Sequence, residues 1–497
     1  MGLKTEHGHT TGCFGGFKLR FSGKSPATRT LSTIRSEPAL SKPGEKMLAP
    51  SQHFDFGVPS GWGLSAEQSS LDSFLPPYTT QMNASRTSGV VDSVAGKTIN
   101  SVLDELEPEL YQLSMDIHDH PEIAFQERYA RDTLTAFMRR HKFNVTSEYL
   151  GLETAWRAEY SYGNGGKVIG INSEMDALER IGHACGHNLI AASGCGIAVA
   201  LKAALETHDI PGRIILLGTP AEEGGGGKII LLQRGAYDDM DFCLMSHPGP
   251  GPLYSFDIGA TTAVQTFEVE YLGKGAHAGA APWYQFLHRT IRSEGINALD
   301  AAFLAYSSLS VLRQQMQPTH RSHGIVQGRD WISNVIPDNA RLRWQVRAPT
   351  YDEMSILAQR VRKCFEAAAL ATGCSVNIDE EPPYQDLKNN PILARIFGQI
   401  VQTQYGQNVS TNGSAASTDF GNVSYYLPAL HPLYTIPTEP HGGNHTPAFT
   451  KASATKEAHA ASMIATRGLA LTALCVLQDD ALFLEMKASS VAFRSVP

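Results

Sequence analysis

The sequence predicts an α/β fold in which a central β-sheet is flanked by helices and a smaller α+β domain is inserted. Apolar strand patterns such as KVIGINSEMDA and GRIILLGTPAEEGGGGK alternate with the helical pattern NLIAASGCGIAVALKAALETH. This alternation is typical of an α/β sheet. Near residue 262 the pattern changes to TTAVQTFEVEYLG, whose apolar and polar residues alternate as in a half-exposed strand. The change predicts the start of the inserted domain.

The order of the predicted elements gives the domain boundaries. Helical spacing begins near Thr98, and the residues before it are rich in Ser, Thr, Pro and Gly, so we expect a disordered leader. A helix over about residues 295–316, the strand ARLRWQVRAPT and the helix YDEMSILAQRVRKCFEAAALATG complete the inserted domain. We therefore assign the leader to residues 1–97, the main domain to 98–261 and 379–485, the inserted domain to 262–378 and a C-terminal tail to 486–497.

The composition is that of a soluble globular protein, with 42% hydrophobic and 18% charged residues in a chain of 497. A net charge of −8 argues against nucleic acid or an anionic membrane as a partner. No run of the sequence approaches the roughly 18 apolar residues that span a bilayer. Seven scattered cysteines favour a reducing compartment, so we expect the cytoplasm. A mitochondrial location is the alternative, because arginines lie among hydroxyl residues in the leader.

Residue types that bind metals recur at the ends of the predicted strands and in nearby loops. Taken one at a time, each is better explained as a solvated or buried structural residue. Taken together they lie where open α/β sheets bind ligands, which favours a metal site. A nucleophilic cysteine beside a histidine stays open as an alternative. The residues are Cys185 with His187, Glu222 with Glu223, His247 and His445.

The motifs GHACGHN, GTPAEEGGGG, SHPGP, GKGAHAG and GNHTPAF occur in the order found in the M20 metallopeptidases and amidohydrolases, which the chain resembles over about residues 98–480. The resemblance implies a metallopeptidase-type catalytic domain and a ferredoxin-like lid domain that also serves dimerisation, so we expect a homodimer. It implies a metal-dependent hydrolase that cleaves an amide or peptide bond of a dipeptide or an N-acyl amino acid. The subgroup that the chain most resembles favours dipeptides with a basic C-terminal residue.

The resemblance also assigns the metal ligands. Five residues match a site for two divalent metal ions, and Cys185 stands where other members have a bridging carboxylate. Thiolate, imidazole and carboxylate ligands suit Zn²⁺, with Mn²⁺ or Co²⁺ as alternatives. The matching residues are Cys185, His187, Glu223, His247 and His445.

Other positions match residues that act on the substrate or position a ligand. Glu222 matches the general base, which takes a proton from the attacking water and returns one to the leaving amine. Asp176 matches a carboxylate that orients a histidine ligand. His277 matches a histidine that stabilises the tetrahedral oxyanion, often in the site of the neighbouring subunit. Asn334 and Arg347 match a pair that holds the substrate's carboxylate, although Arg347 is equally explained as a structural strand residue.

One segment departs from the family pattern. Residues 284–293, with the sequence YQFLHRTIRS, are interposed after Trp283. A loop at this place would crowd the approach of the lid domain to the site. We therefore expect a translated intron rather than a genuine loop.

Two functions of other classes remain. A cysteine hydrolase that uses Cys185 and His187 would resist chelators and would lose its activity on thiol alkylation. A catalytically silent scaffold would bind metal and leave every amide intact, but the presence of Glu222 argues against it.

Overall fold

The computed structural model describes residues 89, 91, 93–279, 283–284, 292–293 and 295–494. The predicted leader lies almost wholly outside these residues and stays a prediction. The strands are β1 (Asn144–Ser147), β2 (Trp156–Tyr162), β3 (Lys167–Glu174), β4 (Gly212–Thr219), β5 (Phe242–Leu244), β6 (His247–Pro250), β7 (Ser255–Asp257), β8 (Ala263–Leu272), β9 (Trp283–Tyr284), β10 (Arg292–Ser293), β11 (Arg321–Gln327), β12 (Asn339–Ala348), β13 (Ser375–Glu380), β14 (Asn408–Ser410), β15 (Ala429–Leu430) and β16 (Leu433–Ile436).

The α-helices begin just before the predicted start of the main domain and continue into the predicted C-terminal tail. They are α1 (Val94–Asp119), α2 (Arg128–Arg140), α3 (His187–Thr207), α4 (Gly227–Gln233), α5 (Ala298–Leu312), α6 (Tyr351–Thr372), α7 (Pro391–Tyr405), α8 (Phe420–Tyr426), α9 (Pro447–Ser453), α10 (Lys456–Gln478) and α11 (Asp480–Arg494).

The main sheet of the described residues has the strand order β1-β2-β4-β3-β5-β15. Strands β3, β4 and β5 are parallel neighbours, and Glu174 at the end of β3 is paired with Thr219 at the end of β4. The loops that follow these strands therefore leave the sheet at the same edge. This confirms the predicted α/β sheet and brings together the segments that contain the candidate ligands.

Helix α3 is the central helix of the main core, between the sheet and helices α1 and α10. Its small residues allow this close packing: a side chain at Gly194 would overlap the hydroxyl of Ser173, only 2.1 Å from the added carbon atom. The apolar face of α1, with Ile99, Leu103 and Leu110 at helical spacing, is buried in the same core. The small residues in this part of the sequence thus indicate a helix that is buried among the sheet and its neighbouring helices.

Two of the described helices, α3 and α10, are long and apolar enough to cross a membrane by length and composition. The sequence analysis found no apolar run long enough to span a bilayer, and these two helices correct that prediction. Their apolar windows are 89% and 78% buried inside the protein. Burial on every side explains their apolar character, as in the core helices of large globular domains.

The inserted domain is an antiparallel sheet with the order β11-β12-β8-β13, and α5 and α6 pack on it. Its element order β-α-β-β-α-β is that of a ferredoxin-like domain. Strand β11 was missing from the predicted order because it is an edge strand with Ser322 as its single buried residue, so it carries no apolar alternation. Strand β13 was missed for a similar reason, since its residues are exposed or half-buried.

Strands β9 and β10, which lie at the two ends of the interposed segment, pair as a short antiparallel ladder. Residues 285–291 lie outside the described part of the chain. The expectation that residues 284–293 are translated intron therefore stays a prediction.

Candidate metal centre

Several acidic and imidazole side chains lie together at one edge of the main sheet. Asp176 follows β3, Glu222 and Glu223 follow β4, and His247 begins β6 directly after β5. Because β3, β4 and β5 run in the same direction, all of these residues emerge at one edge. The geometry brings these side chains to the edge at which the sequence analysis places the candidate ligands.

Cys185 and His187 reach the same edge from the start of α3. Gly186 between them has a φ of 79°, in the left-handed region that favours glycine. A side chain at Gly186 would also meet Pro248, 2.6 Å from the added carbon atom. The glycine thus permits the tight turn that brings both ligand atoms, Cys185 Sγ and a ring nitrogen of His187, into one group with His247.

Cys185 belongs to two groups of ligand atoms, each with all members within 4.8 Å of one another. The first group contains Cys185, His187 and His247, and the second contains Cys185, Glu223 and His445. The backbone N–H of His445 donates to the carbonyl of Ala184 at 2.9 Å, which fixes its loop beside Cys185. All five ligands assigned from the resemblance are therefore close together, with the thiol common to both groups.

The distances between these atoms fit a bound metal ion. Two nitrogen or oxygen donors about 2.1 Å from a tetrahedral ion lie about 3.4 Å apart, and a sulfur and a nitrogen donor about 3.6 Å apart. Cys185 Sγ lies 3.5 Å from His247 Nε2, and His445 Nε2 lies 3.2 Å from Glu223 Oε2. The buried atoms His187 Nε2 and Glu223 Oε1 have no hydrogen-bond partner. Buried polar atoms without partners are costly, so a cation at this place would satisfy them.

Asp176 fixes the orientation of the His187 ring. The His187 Nδ1–H group donates to Asp176 Oδ1 at 3.1 Å, and the backbone N–H of Glu223 donates to Asp176 Oδ2 at 2.9 Å. The first bond leaves His187 Nε2 as the nitrogen that faces the other ligands. One buried carboxylate therefore positions two of the candidate ligands.

Glu222 is buried at the same edge, with Oε2 3.9 Å from His187 Nε2. Burial raises the pKa of Glu222 well above its ordinary value, and the neighbouring carboxylates of Glu174 and Glu223 raise it further. Its backbone carbonyl accepts a hydrogen bond from the hydroxyl of Tyr384 at 2.8 Å. A fixed backbone and a pKa raised above that of an ordinary carboxylate suit a general base, because the raised pKa makes the carboxylate more basic.

The protonation of Cys185 bears on the alternative of a cysteine nucleophile. Burial raises the pKa of the Cys185 thiol well above its usual range, and the carboxylate of Glu223 adds to the effect. Nucleophilic cysteines have a lowered pKa, because the thiolate is the reactive form. Surroundings that disfavour a free thiolate argue against the cysteine hydrolase.

A cavity of about 640 Å³ opens in front of the cluster. A second cavity, of about 310 Å³, lies towards the inserted domain and shares several of its lining residues with the first. Among the shared residues, Arg347 comes from β12 of the inserted domain, and its guanidinium donates to Ser417 Oγ at 2.8 Å. The shared residues also include Glu222, Glu223 and His445.

His277 and Asn334 are not among the lining residues of either cavity. Both lie at the surface, and they lie together, since the backbone N–H of Ala278 donates to the carbonyl of Asn334 at 2.9 Å. The structure therefore separates Asn334 from Arg347, its partner in the pair assigned from the resemblance. Within a single chain, only Arg347 of these three residues lines the candidate site.

Several polar residues at the site were not identified from the sequence. His431 lines the first cavity with both ring nitrogens unpartnered, and the Asn444 amide donates to Cys185 Sγ at 3.6 Å. Glu174, Lys228 and Asp419 form a buried charged group behind His187. The strand-end position of Glu174 was a visible signal, but Lys228 and Asp419 have no such signal, because their contact joins residues far apart in the sequence.

Comparisons with known proteins agree with this geometry. Residues 170–462 match the family described as "Peptidase family M20/M25/M40". The chain is 39% identical over 396 residues to the Xaa-Arg dipeptidase of Mus musculus, covering 76% of this chain and 88% of the mouse protein. The chain belongs to the M20 peptidase family. It is therefore a hydrolytic enzyme of the class that cleaves amide and peptide bonds.

A solved structure of the family shares the fold, and a further relative is similar in sequence. A Bacillus subtilis protein described as a dinuclear metal binding peptidase from the M20 family superposes with a TM-score of 0.57 at 20% identity, over 76% of this chain and 99% of that one. The N-acetyl-L-cysteine deacetylase of Bacillus subtilis is 26% identical, over 70% of this chain and 85% of that protein. These likenesses confirm the predicted catalytic fold.

Proposed function

We propose that this enzyme binds two divalent metal ions and hydrolyses dipeptides or N-acyl amino acids. The observation that carries the proposal is the shared thiol: Cys185 lies in both groups of ligand atoms. His187 and His247 would complete one ion site with Cys185, and Glu223 and His445 the other. Zn²⁺ suits this mixture of donors best, and Mn²⁺ or Co²⁺ would also be accepted.

Bound ions would polarise the substrate carbonyl and lower the pKa of water. Glu222 would act as the general base: it takes a proton from the attacking water and delivers one to the nitrogen of the leaving amine. Its burial and its raised pKa support this role, because a carboxylate that is more basic than one in water accepts a proton more readily. Asp176 would hold His187 in the tautomer that binds metal.

The substrate would be a dipeptide with a basic C-terminal residue. The name of the mouse relative, Xaa-Arg dipeptidase, supports this class. Arg347 would pair with the substrate's C-terminal carboxylate, since it is partly buried and lines both cavities beside Glu223 and His445. A guanidinium that is partly withdrawn from water gives a strong, charge-assisted contact.

The second subunit of a homodimer would supply His277 and Asn334. Their surface position and their absence from the lining of their own chain's cavities support this assignment. Exposed apolar side chains on the inserted domain, among them Phe303, Val311 and Ile325, offer a surface for the contact. The enzyme would work in a reducing compartment such as the cytoplasm, since the cysteines of the described residues are free thiols.

The variant Cys185→Ser tests the proposal through metal content. A serine hydroxyl does not ionise at neutral pH, so both ions should lose a ligand and occupancy should fall in elemental analysis of the purified protein. Cys195→Ser is the matched control, because Cys195 is buried in the core of α3 and belongs to none of the ligand groups. Wild-type metal content and activity in Cys185→Ser would reject the shared-thiol site.

A further inference from the structure

Glu174, at the end of β3, is a carboxylate behind the metal ligands that no assigned role uses. It is fully buried, and its Oε2 atom lies 3.4 Å from His187 Nε2. That oxygen is closer to Nε2 than the carboxylate oxygens of Glu222 and Glu223, each at 3.9 Å. The Oε2 atom of Glu174 has no hydrogen-bond partner. A buried, unpartnered oxygen therefore faces the nitrogen that remains free for a metal ion.

The position of this oxygen suits a ligand of the same ion. Two oxygen or nitrogen donors of one tetrahedral ion lie about 3.4 Å apart, since each is about 2.0–2.2 Å from the metal. The observed 3.4 Å between Glu174 Oε2 and His187 Nε2 matches this spacing. Cys185, His187 and His247 form one group of ligand atoms, and Glu174 lies outside that group but approaches it at His187. The three donors would leave a tetrahedral ion one short, and a carboxylate oxygen is an ordinary fourth ligand for zinc.

Lys228 holds Glu174 in this position. The Lys228 Nζ atom lies 2.6 Å from Glu174 Oε1 and 2.6 Å from Asp419 Oδ1, and all three side chains are fully buried. The backbone N–H of Lys228 donates to Asp419 Oδ2 at 2.9 Å. The ammonium group thus compensates one oxygen of Glu174 and leaves the other directed at His187. Without this internal cation, two buried carboxylates would repel each other at high cost.

The same arrangement excludes a separate third metal site among these residues. Oxygens of Glu174, Glu222 and Asp419 lie within 4.8 Å of one another. However, both oxygens of Asp419 are engaged by Lys228, whose ammonium already provides a cation between Asp419 and Glu174. Of the oxygens of Glu174 and Asp419, Glu174 Oε2 is the one that remains free to bind an ion at the His187 site.

We propose that Glu174 is a further carboxylate ligand of the metal centre, directed by Lys228 to the ion that His187 and His247 bind. This inference rests on the metal centre of the proposed function. It makes the two ion sites unequal: the His187 ion has four protein ligands, and the ion at Glu223 and His445 has three with the shared thiol. The His187 ion should therefore be the tighter of the two.

Glu174→Gln tests the inference, with Asp419→Asn as its matched control. Both variants remove one carboxylate at the same distance from Lys228, and both leave the other in place to compensate the ammonium. The full-length protein is stripped with a chelator and titrated with Zn²⁺ and with Co²⁺, the latter followed by the visible absorption of the cobalt–thiolate bond. We expect two ions in wild type and in Asp419→Asn. We expect the affinity for the tighter ion to fall at least tenfold in Glu174→Gln.

Each outcome of the titration has a definite meaning. Wild-type affinities in Glu174→Gln, or an equal loss in Asp419→Asn, would overturn the inference, because the carboxylate would then act only through the buried ion group. If Glu174→Gln does not fold, Glu174→Asp replaces it in the titration. The shorter side chain keeps the negative charge beside Lys228 but withdraws the oxygen from His187. Wild-type metal affinity in Glu174→Asp would therefore also overturn the inference. If wild type itself binds no ion, the proposed function fails, and the role of Glu174 as a ligand fails with it, whereas a loss confined to Glu174→Gln leaves both standing.

Discussion

The strand-end cluster, which comprises Asp176, Cys185, His187, Glu222, Glu223, His247 and His445, differs from the lid edge that carries His277 and Asn334. Most of the cluster is buried, and its ligand atoms lie within 4.8 Å of one another in groups inside one chain. The lid edge lies at the surface and lines neither cavity of its own chain. In the proposed function a single chain would therefore provide the metal ligands and the base, whereas the groups of the lid edge would need a second chain to act.

The largest expected effect tests whether proton transfer and metal binding are separable within the strand-end cluster. Glu222→Gln keeps the shape of the side chain but cannot accept a proton, so kcat should fall by roughly 10²–10⁴-fold while metal content stays near that of wild type. Glu223→Gln is the comparison variant, since we expect it to lose metal. Steady-state kinetics on dipeptides and elemental analysis measure both quantities. Undiminished turnover in metal-loaded Glu222→Gln would remove Glu222 from the mechanism.

The next effect concerns the lid edge. His277→Ala removes a donor that would meet charge only in the transition state, so we expect a loss of about 3 kcal/mol, or roughly 10²-fold, in kcat with little change in KM. The metal content should not change, because His277 belongs to none of the ligand groups. An equal effect on metal content would show that the residue acts on the stability of the site instead.

Mixed dimers determine which chain's site His277 serves. Heterodimers of His277→Ala with Glu222→Gln, purified with two affinity tags, contain one intact site if His277 acts across the interface and none if it acts within its own chain. Heterodimers of wild type with the double variant give the reverse result. Activity in the first heterodimer and not in the second would confirm the difference between the two regions. Activity in the second heterodimer and not in the first would show that His277 serves the site of its own chain.

The same difference explains how much of the site could be predicted. Cys185, Glu222 and His247 each lie next to a strand end or a helix start that is visible in the sequence. Parallel strands bring such positions to one edge of the sheet, so their proximity could be predicted from the strand pattern alone. Lys228 and Asp419 could not be found in this way. Their importance arises from a buried contact between α4 and the residue before α8, and each residue alone is consistent with an ordinary surface position.

The strands of the fold likewise differ in how well the sequence predicts them. The central strands β3 and β4 contain the short apolar runs VIGI and IILL because most of their residues are buried, which makes them visible in the sequence. Edge strand β11 was not visible, since most of its residues are exposed or half-buried and few of them are apolar. Asn334 shows the same limit for function: its resemblance-based pairing with Arg347 has no local signal to indicate which chain's cavity it faces.

Arg347 gives the smallest expected effect and tests the boundary between the two regions, because it belongs to the inserted domain yet lines the cavities of its own chain. Arg347→Ala should lower kcat/KM by roughly 10- to 100-fold, mainly through KM, since a charge-assisted bond to a substrate carboxylate contributes about 1.5–3 kcal/mol. Arg343→Ala is the control: Arg343 also lines the second cavity but is exposed and paired with Glu268 and Glu381, so we expect little change. Heterodimers of Arg347→Ala with Glu222→Gln should show no rescue, because each chain would supply its own arginine. Restored activity in this heterodimer would assign Arg347, like His277, to the partner's site. The inserted domain as a whole would then act on the partner's site, and not the lid edge alone.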